Sequence, residues 1–259
     1  MGERTSYEPG TFSWADLTTT DQDAAKSFYS GLFGWQANDL PVGDGAVYSM
    51  MQVDGKNVAA ISPQPQQQRE AGAPPTWNSY VTVESADASA ERAGQLGATV
   101  HAPPFDVMDV GRMAVIQDPQ GAFFMVWEPT SNIGADLVNA PGALSWNELA
   151  SSDVDASIGF YTELFGWATQ PFEGSPQRYE IIQNKGRGNG GIREMAEGEP
   201  VPYWLVYYGI DSIDGGLSKA EELGGSKLMG PVDIGVAQIG MVQDPQGAVF
   251  ALYDGQFEN

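Results

Sequence analysis

Two carboxylates stand at matched places in this chain of 259 residues: Asp16 lies two positions after Trp14, and Glu148 two positions after Trp146. Side chains alternate along a strand, so each acid shares a face with its tryptophan. A carboxylate desolvated against indole has a raised pKa, which suits it to general acid–base work or to anchoring a cationic or hydroxylated ligand. The competing role is structural, with the acid bonded to a backbone N–H or a tyrosine hydroxyl and tying strands together. Trp14, Tyr48, Asn78, Tyr80, Met125 and Trp127 fall on strands around Asp16, and Trp146, Tyr179, Tyr207 and Tyr253 on strands around Glu148. Taken singly these aromatics suit a packed core, but as sets on one face they describe the walls of a small-molecule pocket. Asn78 has an apolar counterpart, Leu205. The two cavities are therefore expected to differ.

Other chemistry is sparse. There is no cysteine, which excludes thiolate and disulfide chemistry, and the single histidine, His101, excludes a multi-histidine metal site within one chain. His101 itself reads as a surface or core residue. A net charge of -22 repels phosphate, so neither nucleic acid nor an anionic membrane is an expected partner. The stretch 186–191 is glycine-rich, but it does not join a strand to a helix as a phosphate loop does. No apolar run reaches the roughly 18 residues of a membrane span, and the polar start lacks a signal-peptide core. A cytoplasmic chain is expected.

The elements that must hold the two acids form a repeat. Ser13-Trp14 through Phe28-Tyr29 to Leu32-Phe33-Gly34-Trp35 returns, at constant offset, as Ser145-Trp146 through Phe160-Tyr161 to Leu164-Phe165-Gly166-Trp167. The stretch 11–19 alternates as a strand, with Phe12, Trp14, Asp16 and Thr18 on one face. Asp21 caps a helix whose apolar positions Ala24, Ala25, Phe28, Leu32 and Phe33 follow helical spacing, and Gly34 ends it. Short strands follow at 35–38, 47–53 and 58–61, with a hairpin at Asp54-Gly55. After a Pro/Gln-rich surface loop at 63–75 the order recurs: strand 77–83, helix 86–96, then strands 99–102, 112–117 and 122–127. Asp118-Pro119-Gln120-Gly121, repeated as Asp244-Pro245-Gln246-Gly247, turns the last hairpin of each half. The spacing predicts an α+β protein of four βαβββ units. Residues 1–10 are expected as a disordered lead-in, 11–130 as a first domain, 131–141 as a linker and 142–259 as a second domain.

Strand, Asp-capped helix with Phe-Tyr, Leu-Phe-Gly-Trp and a closing Asp-Pro-Gln-Gly hairpin together resemble the glyoxalase/bleomycin resistance protein/dioxygenase (vicinal oxygen chelate) superfamily, in its tandem two-domain actinobacterial form. The resemblance covers nearly the whole chain and implies two half-open eight-stranded barrels, each around a cavity. Metal-dependent members carry His or Glu at four positions, which fall here on Trp14, Ala60, Asn78 and Met125, and in the second half on Trp146, Gly191, Leu205 and Ala251. None of these residues is His, Asp or Glu, so no metal is expected. The resemblance implies a small-molecule-binding protein without the usual metal site. Its alternative is a metal-independent, glyoxalase-like or hydroxylase-type enzyme, acting on a small carbonyl or polyketide compound with Asp16 or Glu148 as acid–base, with an organic cofactor in one version. Because two fused domains supply their own pseudo-symmetric pairing, a monomer or a homodimer is expected.

Overall fold

The computed structural model describes residues 2–43, 45–175 and 177–256. In chain order the first half gives β1 (Gly2–Glu3), β2 (Phe12–Thr19), α1 (Gln22–Phe33), β3 (Gln36–Pro41), β4 (Val47–Val53), β5 (Lys56–Pro63), α2 (Gln66–Glu70), β6 (Thr76–Thr82), α3 (Ala86–Gln95), β7 (Thr99–Val107), β8 (Gly111–Gln117) and β9 (Phe123–Pro129). The second half gives β10 (Leu137–Val138), β11 (Leu144–Ser151), α4 (Val154–Phe165), β12 (Ala168–Pro171), β13 (Tyr179–Asn184), β14 (Arg187–Glu194), β15 (Tyr203–Gly209), α5 (Ile213–Glu222), β16 (Ser226–Asp233), β17 (Ala237–Gln243) and β18 (Val249–Gly255).

The caps explain where the long helices start and stop. Asp21 and Asp153 hold extended backbone and accept from the N–H of Ala24 and Ala156, while Gly34 and Gly166 close α1 and α4 at φ 72° and 71°. Each half then makes one sheet. The first runs β3-β4-β5-β2-β6-β9-β8-β7, and the second runs β12-β13-β14-β11-β15-β18-β17-β16, with β10 and β1 added beside β11. Neither sheet closes on itself, so each is a half-open barrel of two βαβββ units with the unit-opening strands paired at its centre. No helix among the described residues is long and apolar enough to cross a membrane.

Four local expectations change. The first ten residues, expected to be disordered, are tied down from Gly2 on: Gly2–Glu3 pairs with Leu137–Val138, Tyr7 Oη donates to the carbonyl of Ala135, and the Gly10 carbonyl accepts from Trp167 Nε1. The interdomain stretch accordingly carries a strand, β10, rather than free linker. The Pro/Gln-rich loop contains a short helix, α2. Phe12 leaves the face of Trp14 and Asp16, because a bulge interrupts the β2–β6 register between Phe12 and Trp14. It packs instead on Trp167 and Trp204 of the second half, with ring centroids 5.4 and 4.9 Å away.

The convex faces of the two sheets meet, and the core crosses between halves. Tyr29 of α1 packs on Phe250, Trp77 and Trp35, while Tyr161 of α4 packs on Phe124, Trp204 and Trp167. Each of these tyrosines donates its hydroxyl to the hairpin aspartate of the opposite half: Tyr29 to Asp244 at 3.0 Å and Tyr161 to Asp118 at 2.9 Å. Each hydroxyl in turn accepts an indole N–H, from Trp77 and Trp204 respectively. The second oxygen of each aspartate accepts three backbone N–H groups of its own hairpin, those of Gln120, Gly121 and Ala122 or of Gln246, Gly247 and Ala248. Tyr208 lies in the same cluster, fully buried, with its hydroxyl bonded to no protein group among the described residues.

These tyrosines therefore differ in what their hydroxyls hold. Tyr29→Phe and Tyr161→Phe each strand a buried indole N–H and a carboxylate oxygen, and should each lower unfolding stability by about 1–3 kcal/mol. Tyr208→Phe strands nothing and should be neutral or slightly stabilising. Urea unfolding of the three variants checks the contrast, which equal losses in all three would contradict.

Candidate functional site

The strand register carries the concave face of the first sheet. In the β2–β6 pair Trp14 lies opposite Tyr80 and Asp16 opposite Asn78; Ala60 of β5 lies beside Asp16, and Met125 of β9 beside Tyr80. Asp16 is buried, 5% exposed. Its Oδ1 accepts from Asn78 Nδ2 at 2.8 Å, and its Oδ2 accepts from Tyr80 Oη at 2.9 Å and Tyr48 Oη at 3.1 Å. Trp14 Nε1 donates to Tyr48 Oη at 3.0 Å, so the tryptophan reaches the acid through a tyrosine. Burial pushes the Asp16 carboxyl above the usual range, against the opposing pull of its three donors, and no lysine or arginine among the described residues offsets that burial. The phenols of Tyr48 and Tyr80 are raised as well, first by burial and then by the nearby acid.

The second sheet repeats the skeleton and changes the charge balance. Trp146 Nε1 donates to Tyr179 Oη at 2.9 Å and Tyr207 Oη donates to Glu148 Oε2 at 3.0 Å, as their counterparts do in the first sheet. Glu148 Oε1, however, accepts from Arg193 Nε at 2.7 Å. The same guanidinium reaches Glu199 at 2.6 and 2.7 Å, and Tyr203 Oη also donates to Glu199. Burial opposes the ionisation of Glu199, yet the donors Arg193, Tyr203 and the N–H of Ala196 hold its carboxyl down at about 2. Gly191 lies beside Glu148, and a Cβ there would stand 2.1 Å from Tyr179 Oη, so the tyrosine crosses the strand only because glycine is present. Trp146, Tyr179 and Tyr253 are partly exposed, whereas Trp14, Tyr80, Met125 and Trp127 are buried.

The sequence-expected residues thus gather into two acid-centred clusters that differ as the Asn78/Leu205 exchange suggested. Arg193, Glu199 and Tyr203 were not foreseen. Arg193 was within reach of the alternation rule, since it follows Gly191 by two positions on the same strand face. Glu199 sits in a loop, where no periodicity points at a partner. His101 is exposed on β7, with Nε2 3.0 Å from Gln117 Oε1, and 186–191 forms a β hairpin and strand. A cleft of about 230 Å³ at the start of α4, lined by Ser152, Asp153, Asp155, Arg178 and Glu194, lies apart from both acids.

At the four positions where metal-dependent relatives of this fold carry their ligands, the first sheet offers indole, methyl, carboxamide and thioether groups, and the second offers indole, hydrogen, isobutyl and methyl. This donor set does not fit a hard divalent ion, which takes carboxylate oxygen or imidazole nitrogen. Among the described residues no group of three or more His, Asp or Glu side chains is placed to hold a metal ion.

Paired βαβββ units that leave each sheet half-open are the fold of glyoxalase-type proteins. The profile of the Glyoxalase/Bleomycin resistance protein/Dioxygenase superfamily matches residues 11–126. CFP32 of Mycobacterium tuberculosis (strain CDC 1551 / Oshkosh), provisionally named a glyoxylase, is 40% identical over 97% of both chains. The anthracycline biosynthesis protein DnrV of Streptomyces peucetius is 31% identical over 96% of this chain and 95% of its own. The chain belongs to the glyoxalase/bleomycin resistance protein/dioxygenase superfamily. Among solved structures, the Mn(II)-bound glyoxalase from Novosphingobium aromaticivorans superposes with a TM-score of 0.66 at 17% identity, over 100% of this chain and 86% of that one. The 2,2',3-trihydroxybiphenyl 1,2-dioxygenase from Sphingomonas wittichii strain RW1 gives 0.66 at 13%, over 97% and 92%. At such identities these two share the fold alone.

Two outcomes follow from the site's geometry. With its pKa raised by folding, Asp16 loses its proton first in the unfolded chain. Stability from this group is therefore full below the ordinary carboxylate range of about 4 and is lost as pH climbs through the folded value. The stability of the wild type relative to Asp16→Asn should fall as pH rises from about 4 in paired urea titrations, and a flat difference would show that the group is not raised by folding. Trp14→Ala, at a buried site, should cost about 3–5 kcal/mol, and Trp146→Ala, at a partly exposed site, clearly less, as thermal unfolding would register.

Proposed function

We propose that the chain binds a small organic molecule on the concave face of each sheet and that it does so without the metal site of its metal-dependent relatives. The observation that carries this reading is the first cluster. A buried carboxylate, two phenols, a carboxamide and an indole converge on one concave face, joined by hydrogen bonds rather than by apolar packing alone, among aromatic walls. Few polar groups set in an aromatic cavity are what orients a small ligand. Trp14, Tyr48, Asn78, Tyr80, Met125 and Trp127 would line the first cavity, and Trp146, Tyr179, Tyr207 and Tyr253 the second. The donor chemistry at Trp14, Ala60, Asn78 and Met125 supports the metal-free part of the reading.

A second reading, as an enzyme on a small carbonyl or polyketide compound, draws on the raised carboxyl of Asp16 and on the names of the relatives, one provisionally named a glyoxylase and one an anthracycline biosynthesis protein. In that role Asp16 would take or give a proton, with Tyr48 and Tyr80 holding its second oxygen in place. Glu148 is the weaker acid–base candidate, because Arg193 holds it.

Elemental analysis of the purified chain should find no stoichiometric transition metal, and treatment with EDTA should leave the melting temperature unchanged. One tightly held metal per chain, with melting lowered on chelation, would overturn the metal-free reading. Methylglyoxal turnover that Asp16→Asn abolishes would favour the enzyme.

A further inference from the structure

We propose that the first cavity selects a protonated amine, seated against Asp16, and that the second cavity does not, because Arg193 already occupies the corresponding place on Glu148. This rests on the reading of both concave faces as small-molecule sites and assigns them different ligand chemistry. An ionised carboxylate can accept about four hydrogen bonds. Asp16 accepts three, all from neutral donors, and Oδ1, which holds Asn78 alone, has acceptor capacity left for a further donor. Glu148 instead has a guanidinium at 2.7 Å, itself held at its other end by Glu199. The two halves are repeats of one sequence, so Arg193 shows what this architecture does with its buried acid when charge is balanced from within. In the first half the residue at that place is Ser62, beside Thr18 of β2 as Arg193 is beside Ala150 of β11, and its hydroxyl bonds the Leu17 carbonyl. A positive partner for the ionised acid would have to come from outside.

The walls suit a cation as well as a carboxylate does. Among the described residues Trp14, Tyr48, Tyr80 and Trp127 stack on no other aromatic ring, in contrast to the mutually stacked rings around Tyr29 and Tyr161. Electron-rich ring faces attract ammonium groups, most strongly where water is excluded. The second cavity offers a neutralised acid and Leu205 in place of Asn78, which favours an uncharged group.

The test uses the full chain labelled with ¹⁵N, titrated with benzylammonium and with its neutral counterpart benzyl alcohol, and reads the indole N–H signals of Trp14, Trp127 and Trp146, assigned through Trp→Phe variants. Benzylammonium should shift the Trp14 and Trp127 signals and bind about tenfold tighter than the alcohol, leaving Trp146 in place. Asp16→Asn should reduce that preference to about twofold or less, by the same loss of charge pairing. If the alcohol binds the first cavity as tightly as the amine, or if the amine moves Trp146 as much as Trp14, the charge assignment falls and the small-molecule reading stands. If neither probe moves any indole signal, both fall. The comparison of amine with alcohol in the wild type decides the matter even where Asp16→Asn does not fold.

Discussion

The hydrogen bond from a helix tyrosine to the hairpin aspartate of the opposite half holds this molecule in one arrangement. Tyr29 and Tyr161 sit in the middle of aromatic clusters, and each hydroxyl is satisfied twice, by an indole donor and a carboxylate acceptor. Burying a carboxylate is costly unless its oxygens are filled. The Asp-Pro-Gln-Gly hairpin fills one oxygen with three of its own backbone N–H groups and leaves the other for a partner across the interface. A turn motif that reads as local geometry is therefore also the contact that registers one sheet against the other, twice over.

That registration separates two kinds of freedom. The convex faces keep their tryptophans in both halves, Trp35 and Trp77 answering to Trp167 and Trp204, and differ at Phe12, whose counterpart is Leu144. The concave faces keep the bond pattern of tryptophan to tyrosine and tyrosine to acid, and vary the rest: Asn78 against Leu205, Met125 against Ala251, Ala60 against Gly191. The charge state varies most. One half leaves a lone acid among neutral donors, while the other pairs its acid with Arg193 and pins a loop through Glu199. A buried ion pair adds less stability than its short distances suggest, because both charges are first stripped of water. Its effect here is to fix geometry and to neutralise the acid.

Much of this was legible in the residues. Strict alternation placed Trp14 and Asp16 together, capping aspartates and closing glycines bounded the long helices, and the repeat delivered two sheets of matching order. The parts that were not legible depend on contacts between segments far apart in the chain. Phe12 departs from alternation at a bulge that nothing in its neighbours announces. The lead-in is ordered by a two-residue pairing with β10 and by Trp167 donating to the Gly10 carbonyl, neither of which leaves a periodic trace. Asp118 and Asp244 were visible as turn residues, but their second oxygen answers to a tyrosine in the other half, and sequence order gives no hint of that pairing.

The two reciprocal contacts are unequal in chain distance. Tyr161 and Asp118 are 43 residues apart, whereas Tyr29 and Asp244 are separated by 215. A ribosome therefore delivers Tyr29, Trp35 and Trp77 long before the hairpin that completes their cluster, and one whole sheet must wait with an aromatic surface uncovered. Contacts of such long range are slow to form, and the exposed surface is adhesive in the interval. The strongly acidic composition, with 34 Asp and Glu against 12 Lys and Arg, opposes association of nascent chains during that wait, so net charge guards a half-made protein against its neighbours.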